Sequence, residues 1–142
     1  MLADQLALTV AALFSGAALY INFSEQPARL GLNDQAMLDE WKPSYKRGFM
    51  MQASLAVIGF LLGVLEWRLS SEPLWIVGAL LMLANWPFTL FGIMPTNSKL
   101  MATQTATPET RALVLKWGGL HAVRTVLGFL ATATFLLAAH NP

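Results

Sequence analysis

An apolar stretch near the carboxyl end of the chain carries a histidine and an arginine on one helical face. Four residues share that face at the spacing i, i+4, i+7, i+11 of an α-helical stripe: Trp117, His121, Arg124 and Gly128. Imidazole can transfer protons near neutral pH. An arginine among apolar residues costs about 2.5–3.5 kcal/mol in a membrane unless it faces a partner or a wet cavity. The stripe indicates either a ligand pocket or a structural ion pair, for which Glu25 is the most suitable carboxylate.

Polar side chains also interrupt the three other apolar stretches. If consecutive helices alternate in direction, these positions share one end of the bundle: Asn22 and Glu25, then Tyr45, Arg47 and Gln52, and then Asn85, Trp86 and Asn97. Polar groups that converge in an apolar setting are typical of a small-molecule site. His121 could instead be a buried hydrogen-bonding residue, and most of the tryptophans could form an interfacial belt.

The elements that must position these residues are four membrane-spanning helices. Of the 142 residues, 56% are hydrophobic and 12% are charged, against about 25% charged in soluble domains. A chain of this size cannot bury so much apolar surface by itself. A span needs roughly 20 apolar residues. We predict an all-α integral membrane four-helix bundle, one domain over residues 1–142, with spans at about 5–24, 47–67, 74–95 and 113–139.

A short interfacial helix is predicted between the first two spans. Within Asp34–Trp41, the residues Met37, Leu38 and Trp41 share one face. We expect this helix to end before Pro43, because proline disfavours the helical conformation in the residue that precedes it.

Prolines also mark the later helices. Thr107, Pro108 and Glu109 predict the start of the fourth helix as an N-cap, a first-turn proline and an acid favoured by the helix dipole. Residues 68–73 predict a tight turn. Pro87 lies inside the third span and predicts a kink, since it cannot donate to the carbonyl of Leu83.

Small residues four apart predict close helix packing. The pairs are Gly59 with Gly63 and Ala12 with Gly16. Packing inside the bundle is the favoured interpretation, and the seam of a homo-oligomer is the alternative.

Basic residues predict the orientation. Seven of them flank the first and third connections (Arg29, Lys42, Lys46, Arg47, Lys99, Arg111 and Lys116), and only Arg68 flanks the opposite side. The positive-inside bias places the long connections in the cytoplasm. Residues 1–5 contain no basic residue, so we expect a retained first helix rather than a cleaved signal. The expected location is the bacterial inner membrane.

Composition excludes several kinds of site. Without cysteine, the chain has no disulfide, iron–sulfur cluster, thiolate zinc site or cysteine nucleophile. Two histidines are too few for a histidine-based metal site, and a net charge of +1 gives no footprint for nucleic acid. We predict no metal site, and the expected partner is the lipid bilayer.

Four segments resemble the motifs of a family of small four-helix membrane proteins, formerly a domain of unknown function, that includes the fungal anthrone oxygenases. The segments are NFSEQPARL, WKPSYKRG followed by MQ, NWPFT with PTN, and WGGLHAVRT. They occur in the family's order and span nearly the whole chain. The resemblance implies a monooxygenase that oxidises an anthrone to an anthraquinone with molecular oxygen, or acts on another planar phenolic or quinol-like substrate. It implies no cofactor, and as ligand a small hydrophobic aromatic or quinone-like molecule.

The resemblance also implies roles for the polar residues. His121 would be the general base, and Arg124 and Arg47 would stabilise an enolate or a superoxide-like species. The remaining residues would stack on a planar substrate or orient its oxygens: Tyr45, Trp86 and Trp117, and Asn22, Glu25, Gln52, Asn85 and Asn97.

Other function classes fit the same pattern. The pocket could belong to a non-catalytic lipid- or quinone-binding module or a transport-related module. The Asp34–Trp41 helix could dock on another membrane protein, and His121 could bind a haem.

Overall fold

The computed structural model describes residues 2–141, so Met1 and Pro142 of the predicted domain lie outside the described residues. Four helices are present: α1, Leu2–Leu30; α2, Asp34–Ser70; α3, Pro73–Ala102; and α4, Pro108–His140. Each is long and apolar enough to cross a membrane, and no strand occurs in the described residues. The predicted all-α four-helix class is therefore confirmed, and each predicted span lies within one helix.

Consecutive helices are neighbours in a four-membered ring. Helix α1 packs along its length against α2 and α4, and α3 packs against the same two helices. Large apolar side chains also point outward, as with Phe91 at 83% exposed and Leu61 at 57%. Helices that are apolar all round are typical of membrane spans, because lipid rather than water covers their outer faces.

Two apolar clusters fill the interior. One lies toward the chain termini and contains Phe14, Ala56, Met82 and Phe135. The other lies toward the long connections and contains Met37, Leu38, Trp41, Ile93, Leu100, Val114 and Trp117. Along α4, His121 and Arg124 fall between the residues that enter the two clusters, so a polar layer separates them.

Helices α1 and α3 each contain one π-helical turn, at Ile21–Glu25 and at Thr89–Ile93. The N–H groups of Gln26 and Met94 bond to carbonyls five residues back instead of four, and each of these residues directly precedes a proline. A proline ring collides with the backbone of a regular helix, and the wider turn gives it room. Such turns often occur at functional sites, and both border the polar layer here.

The predicted interfacial helix is not a separate element. Helix α2 is continuous from Asp34 through Pro43, because its first turns are held from both sides. Met37, Leu38 and Trp41 are fully buried in the second cluster, and the side chain of Asn33 accepts the N–H of Ala36 at 2.9 Å. The apolar face proposed for docking a partner protein is thus used inside the molecule.

The boundaries of α4 and of the α2–α3 turn agree with the sequence. Helix α4 begins at Pro108 with Thr107 as N-cap, and the Thr107 N–H donates to Thr110 Oγ1 at 3.0 Å. Ser71 ends α2 in the left-handed conformation with φ 62°. Helix α3 continues through Pro87, and its π-helical turn begins two residues later.

The two small-residue pairs behave differently. A Cβ atom at Gly63 would lie 2.8 Å from Phe135 Cζ and 2.9 Å from Ala79 Cβ, and one at Gly59 would lie 2.8 Å from Met82 Cε. Internal packing is confirmed for this pair. The prediction of internal packing is wrong for Ala12 and Gly16. These two residues lie on the outer surface of α1, because that face of the helix points away from its neighbours.

Candidate functional site

The polar layer receives side chains from all four helices. Buried members are Gln52 and Asn85 at 1% exposed, Asn97 at 1%, His121 at 2% and Arg124 at 6%, with Asn22 half-buried beside them. The predicted stripe on α4 is confirmed, since Trp117, His121, Arg124 and Gly128 are all buried. The helices therefore converge at one depth, as the spacing indicated.

Asn22 fixes the orientation of His121. The Asn22 amide nitrogen donates to the Gly118 carbonyl at 3.0 Å, so the amide oxygen faces His121 Nδ1 at 2.7 Å. Thr125 Oγ1 donates to the same oxygen, also at 2.7 Å. An amide oxygen only accepts, so Nδ1 of a neutral ring must carry the proton here. The other ring nitrogen, Nε2, is then the basic one.

Aromatic rings form a wall beside His121. The Trp117 ring lies 5.1 Å from that of His121, and Trp41 meets Trp117 edge to face at 5.8 Å. Tyr45 stacks on Trp41 at 4.8 Å with a 3° angle between the planes. The guanidinium of Arg29 lies 5.4 Å from the Trp117 ring centre. The wall joins α2 to α4 and limits how far the imidazole can turn.

His121 and Arg124 line one small inner cavity of about 20 Å³. This volume holds about one water molecule. The other lining residues are Ile21, Glu25, Ser44, Tyr45, Gly48, Phe49, Gln52, Ile93, Asn97 and Trp117. A second cavity of about 10 Å³ adjoins it through Phe49 and Arg124, and Asn85, Trp86 and Thr89 line it. Neither cavity has room for a haem on His121.

Several buried polar atoms at these cavities have no hydrogen-bond partner among the described residues. They are Gln52 Nε2, Asn97 Nδ2 and Oδ1, and Arg124 Nε at the first cavity, and Asn85 Oδ1 and Thr89 Oγ1 at the second. Most buried polar atoms in proteins are bonded. A concentration of free donors and acceptors around one arginine favours a polar ligand or water at this place.

The predicted ion pair between Glu25 and Arg124 is wrong. Glu25 pairs with Arg29, Oε1 to NH2 at 3.3 Å, and accepts a hydrogen bond from Ser44. Arg29 lies one helical turn after Glu25 on the same helix and is therefore closer. Arg124 lies 5.8 Å from the centre of the Phe14 ring, and none of the ion pairs within residues 2–141 includes it.

Four predicted site residues do not line the inner cavity. Asn22 is hydrogen-bonded to His121 but does not line the cavity itself. Asn85 and Trp86 line the second cavity, and the Trp86 indole N–H donates to the Ala53 carbonyl at 3.4 Å. Arg47 lies in an open groove between α1 and α2, of about 540 Å³. The inner cavity unites Glu25, Tyr45, Gln52, Asn97, Trp117, His121 and Arg124.

A second buried arginine, Arg29, was not among the predicted site residues. Arg29 is 2% exposed and binds Glu40 Oε2 through Nε at 2.7 Å. Beside it, Gln26 Nε2 donates to the Val114 carbonyl at 2.9 Å. A signal was present, since Arg29 follows Asn22 at i+7 and so lies on the same face of a regular helix.

Acidic and histidine side chains do not gather in this layer. Within residues 2–141, no group of three or more histidines, aspartates and glutamates is close enough to hold a metal ion. The chemistry open to this site is proton transfer by an imidazole and stabilisation of negative charge by a guanidinium and amides.

Comparison with known proteins identifies the family. The family model described as anthrone oxygenase matches residues 41–134. Anthrone oxygenase AgnL2 of Paecilomyces divaricatus is 26% identical over 143 residues, which cover 88% of this chain and 87% of the relative. An anthrone oxygenase of Claviceps purpurea (strain 20.1) is 28% identical over 139 residues, covering 85% and 79%. No solved structure matches the chain. The family model and both relatives confirm the resemblance seen in the four motifs: the chain belongs to the anthrone oxygenase family.

Proposed function

We propose that this protein is a membrane-embedded monooxygenase that oxidises a planar phenolic substrate of the anthrone type with molecular oxygen, without a resident cofactor. The observation that carries the proposal is the pairing of His121 with Asn22 at 2.7 Å. It leaves Nε2 as the basic nitrogen of His121, a residue that lines the inner cavity together with Arg124. Family membership supports the reaction class.

The reaction begins with proton removal. His121 takes a proton from the methylene group of the substrate, which is acidic because the resulting enolate is delocalised over the aromatic rings. The electron-rich enolate gives an electron to oxygen, and the two radicals combine into a carbon-bound hydroperoxide. Loss of water converts this group into a second carbonyl. One CH₂ group and one O₂ thus yield one C=O group and one H₂O.

Arg124 and the free amide groups stabilise the negative charge in this sequence. Arg124 Nε and Gln52 Nε2 are unpaired donors among the described residues, and both residues line the cavity. Donors that are already in place stabilise developing charge without reorganising, and removing one typically costs about 2.7–4 kcal/mol of transition-state stabilisation.

The membrane suits both reactants. Aromatic substrates and molecular oxygen dissolve better in hydrocarbon than in water, so four apolar helices place the base where they accumulate. The proposal includes a location in the bacterial inner membrane, with the long connections in the cytoplasm. The two relatives named above are fungal.

The test is oxygen-dependent conversion of anthrone to anthraquinone by the protein in lipid nanodiscs. Oxygen uptake and anthraquinone formation should be equimolar, and His121→Ala should lower the protein-dependent rate by about 10²–10⁴-fold. His140→Ala is the matched control, because His140 is exposed at the far end of α4. Full activity of His121→Ala would remove the assigned base.

A non-catalytic quinone-binding module is the second candidate. The difference in volume between the open groove and the inner cavity favours it, because of these two spaces the groove alone has room for a ring system in this conformation. Ligand binding with no oxygen uptake, for anthrone and for simpler quinols, would select this function.

A further inference from the structure

The groove between α1 and α2 has the size of a ligand site. Its volume of about 540 Å³ lies within the roughly 300–1,000 Å³ of small-molecule pockets. The inner cavity, at about 20 Å³, holds a water molecule and no ring. In this conformation a planar substrate can bind in the groove and cannot lie wholly beside His121.

The groove is apolar at one end and charged at the other. Ala17, Ile21 and Met51 line its apolar part, and Arg47 and Glu40 lie at the polar part. Arg47 is exposed and forms no ion pair within residues 2–141. The predicted second span begins near this arginine, so the polar end lies at the membrane interface. A ligand with flat apolar rings and oxygen acceptors on one edge matches this division.

A thin partition separates the groove from the inner cavity. Four residues line both spaces: Ile21, Glu25, Ser44 and Gly48. The Ser44 hydroxyl donates to Glu25 across the gap between α2 and α1. A Cβ atom at Gly48 would lie 3.7 Å from Ile21 Cδ1, so the glycine leaves the space opposite Ile21 unfilled. The partition therefore consists of these four residues, with one hydrogen bond across it.

We propose that the α1–α2 groove binds a planar phenolic ligand or its quinone product, with the rings along Ile21 and Met51 and the oxygens toward Arg47. The Gly48 gap passes the reacting edge of the ligand toward His121. The chemical class of the ligand rests on the proposed function, whereas the place of binding rests on the groove itself.

Binding can be tested without catalysis because the chain has no cysteine. Met51→Cys places one thiol in the groove, and Val123→Cys places one on α4 outside it; the native side chains are 48% and 42% exposed. Anthraquinone, which is unreactive here, should slow alkylation of the Met51→Cys thiol by a membrane-permeant maleimide at least about fivefold. The Val123→Cys thiol should react at an unchanged rate.

Phospholipid is the competing occupant. If added phosphatidylcholine protects the Met51→Cys thiol and anthraquinone adds no protection, the groove is a lipid site and the proposal is wrong. Equal rates with and without anthraquinone would also overturn it. If anthrone is oxidised and protection is absent, only the groove proposal fails. If protection is found without oxidation, the groove proposal stands and the oxygenase proposal fails.

The passage is tested by filling the gap. Gly48→Leu puts a side chain against Ile21, whereas Gly119→Leu adds the same side chain where a Cβ meets nothing within 4 Å. We expect Gly48→Leu to lower anthrone turnover at least tenfold, while anthraquinone still protects the thiol of a Gly48→Leu, Met51→Cys double variant. Gly119→Leu should keep full turnover. Full turnover of folded Gly48→Leu would overturn the passage.

Discussion

Arg124 is buried at 6% exposed and belongs to none of the ion pairs within the described residues. Burying an ion without a carboxylate partner destabilises a fold. Arg29, the other buried arginine, differs because it binds Glu25 and Glu40 and lies over Trp117. The two residues therefore differ in surroundings: Arg29 ties α1 to α2, and Arg124 faces the cavity without an acidic partner among the described residues.

Replacing Arg124 should separate stability from activity. We expect Arg124→Met either to leave the free energy of unfolding unchanged or to raise it by about 1–4 kcal/mol, because the substitution removes a charge from the interior. Anthrone turnover should fall at least tenfold. Thermal unfolding in detergent and oxygen uptake measure the two effects.

Arg29→Met is the contrasting variant. This variant should lower the free energy of unfolding. The loss should be smaller than the roughly 3–5 kcal/mol that breaking a fully buried ion pair costs, because Glu25 and Glu40 are partly exposed. A large loss of stability in Arg124→Met would mean that Arg124 is a structural residue.

At the scale of the element, a π-helical turn at Ile21–Glu25 interrupts α1, and Gln26 and Arg29 beyond it are buried. Glu25 lies between groove and cavity. The stripe on α4 was predictable because its helix keeps the regular period. The pairing of Glu25 with Arg29 was also predictable from their i, i+4 spacing, whereas the π-helical turn was not, because regular periodicity does not contain a bulge.

Glycines at the crossing of three helices give the element-scale prediction. A Cβ atom at Gly78 would collide with the Phe135 ring, so Gly78→Ala should destabilise the bundle by about 1–3 kcal/mol through overpacking. Gly119→Ala, which meets nothing within 4 Å, should leave the melting temperature unchanged or raise it. Gly78→Ala combined with Phe135→Leu should recover part of the loss. An unchanged melting temperature of Gly78→Ala would contradict this packing.

The whole molecule is a ring of four helices with a polar layer between two apolar clusters. Composition and span length predicted the helices, and alternation of direction predicted the convergence of Asn22, Gln52, Asn97 and His121. The closure of the inner cavity and the groove beside it could not be predicted. Both depend on how α1 and α2 meet at Ile21 and Gly48, a contact between residues 27 positions apart with no periodic signal.

The length of α2 bears on the orientation of the chain in the membrane. Helix α2 has 37 residues and is about 55 Å long, well beyond the roughly 30 Å of hydrocarbon, so its first turns project on the side of the long connections. In the cysteine-free chain, Thr105→Cys and Ser71→Cys should react from opposite sides with a membrane-impermeant maleimide. Thr105→Cys in bacterial cells should react only after lysis, and Ser71→Cys should react from outside. The reverse pattern would overturn the cytoplasmic assignment of the long connections.

The placement of Phe135 has a consequence for the order of biosynthesis. Its ring fills the space that Gly63 on α2 and Gly78 on α3 leave open, yet it lies on the last of these four helices to leave the ribosome. The first three helices therefore enter the membrane with an unfilled centre, and α4 completes it in a later assembly step. That same helix delivers His121 and Arg124. A nascent or truncated chain that lacks α4 has neither a finished core nor the side chains of His121 and Arg124, so the proposed oxidation would begin only after α4 has joined the bundle.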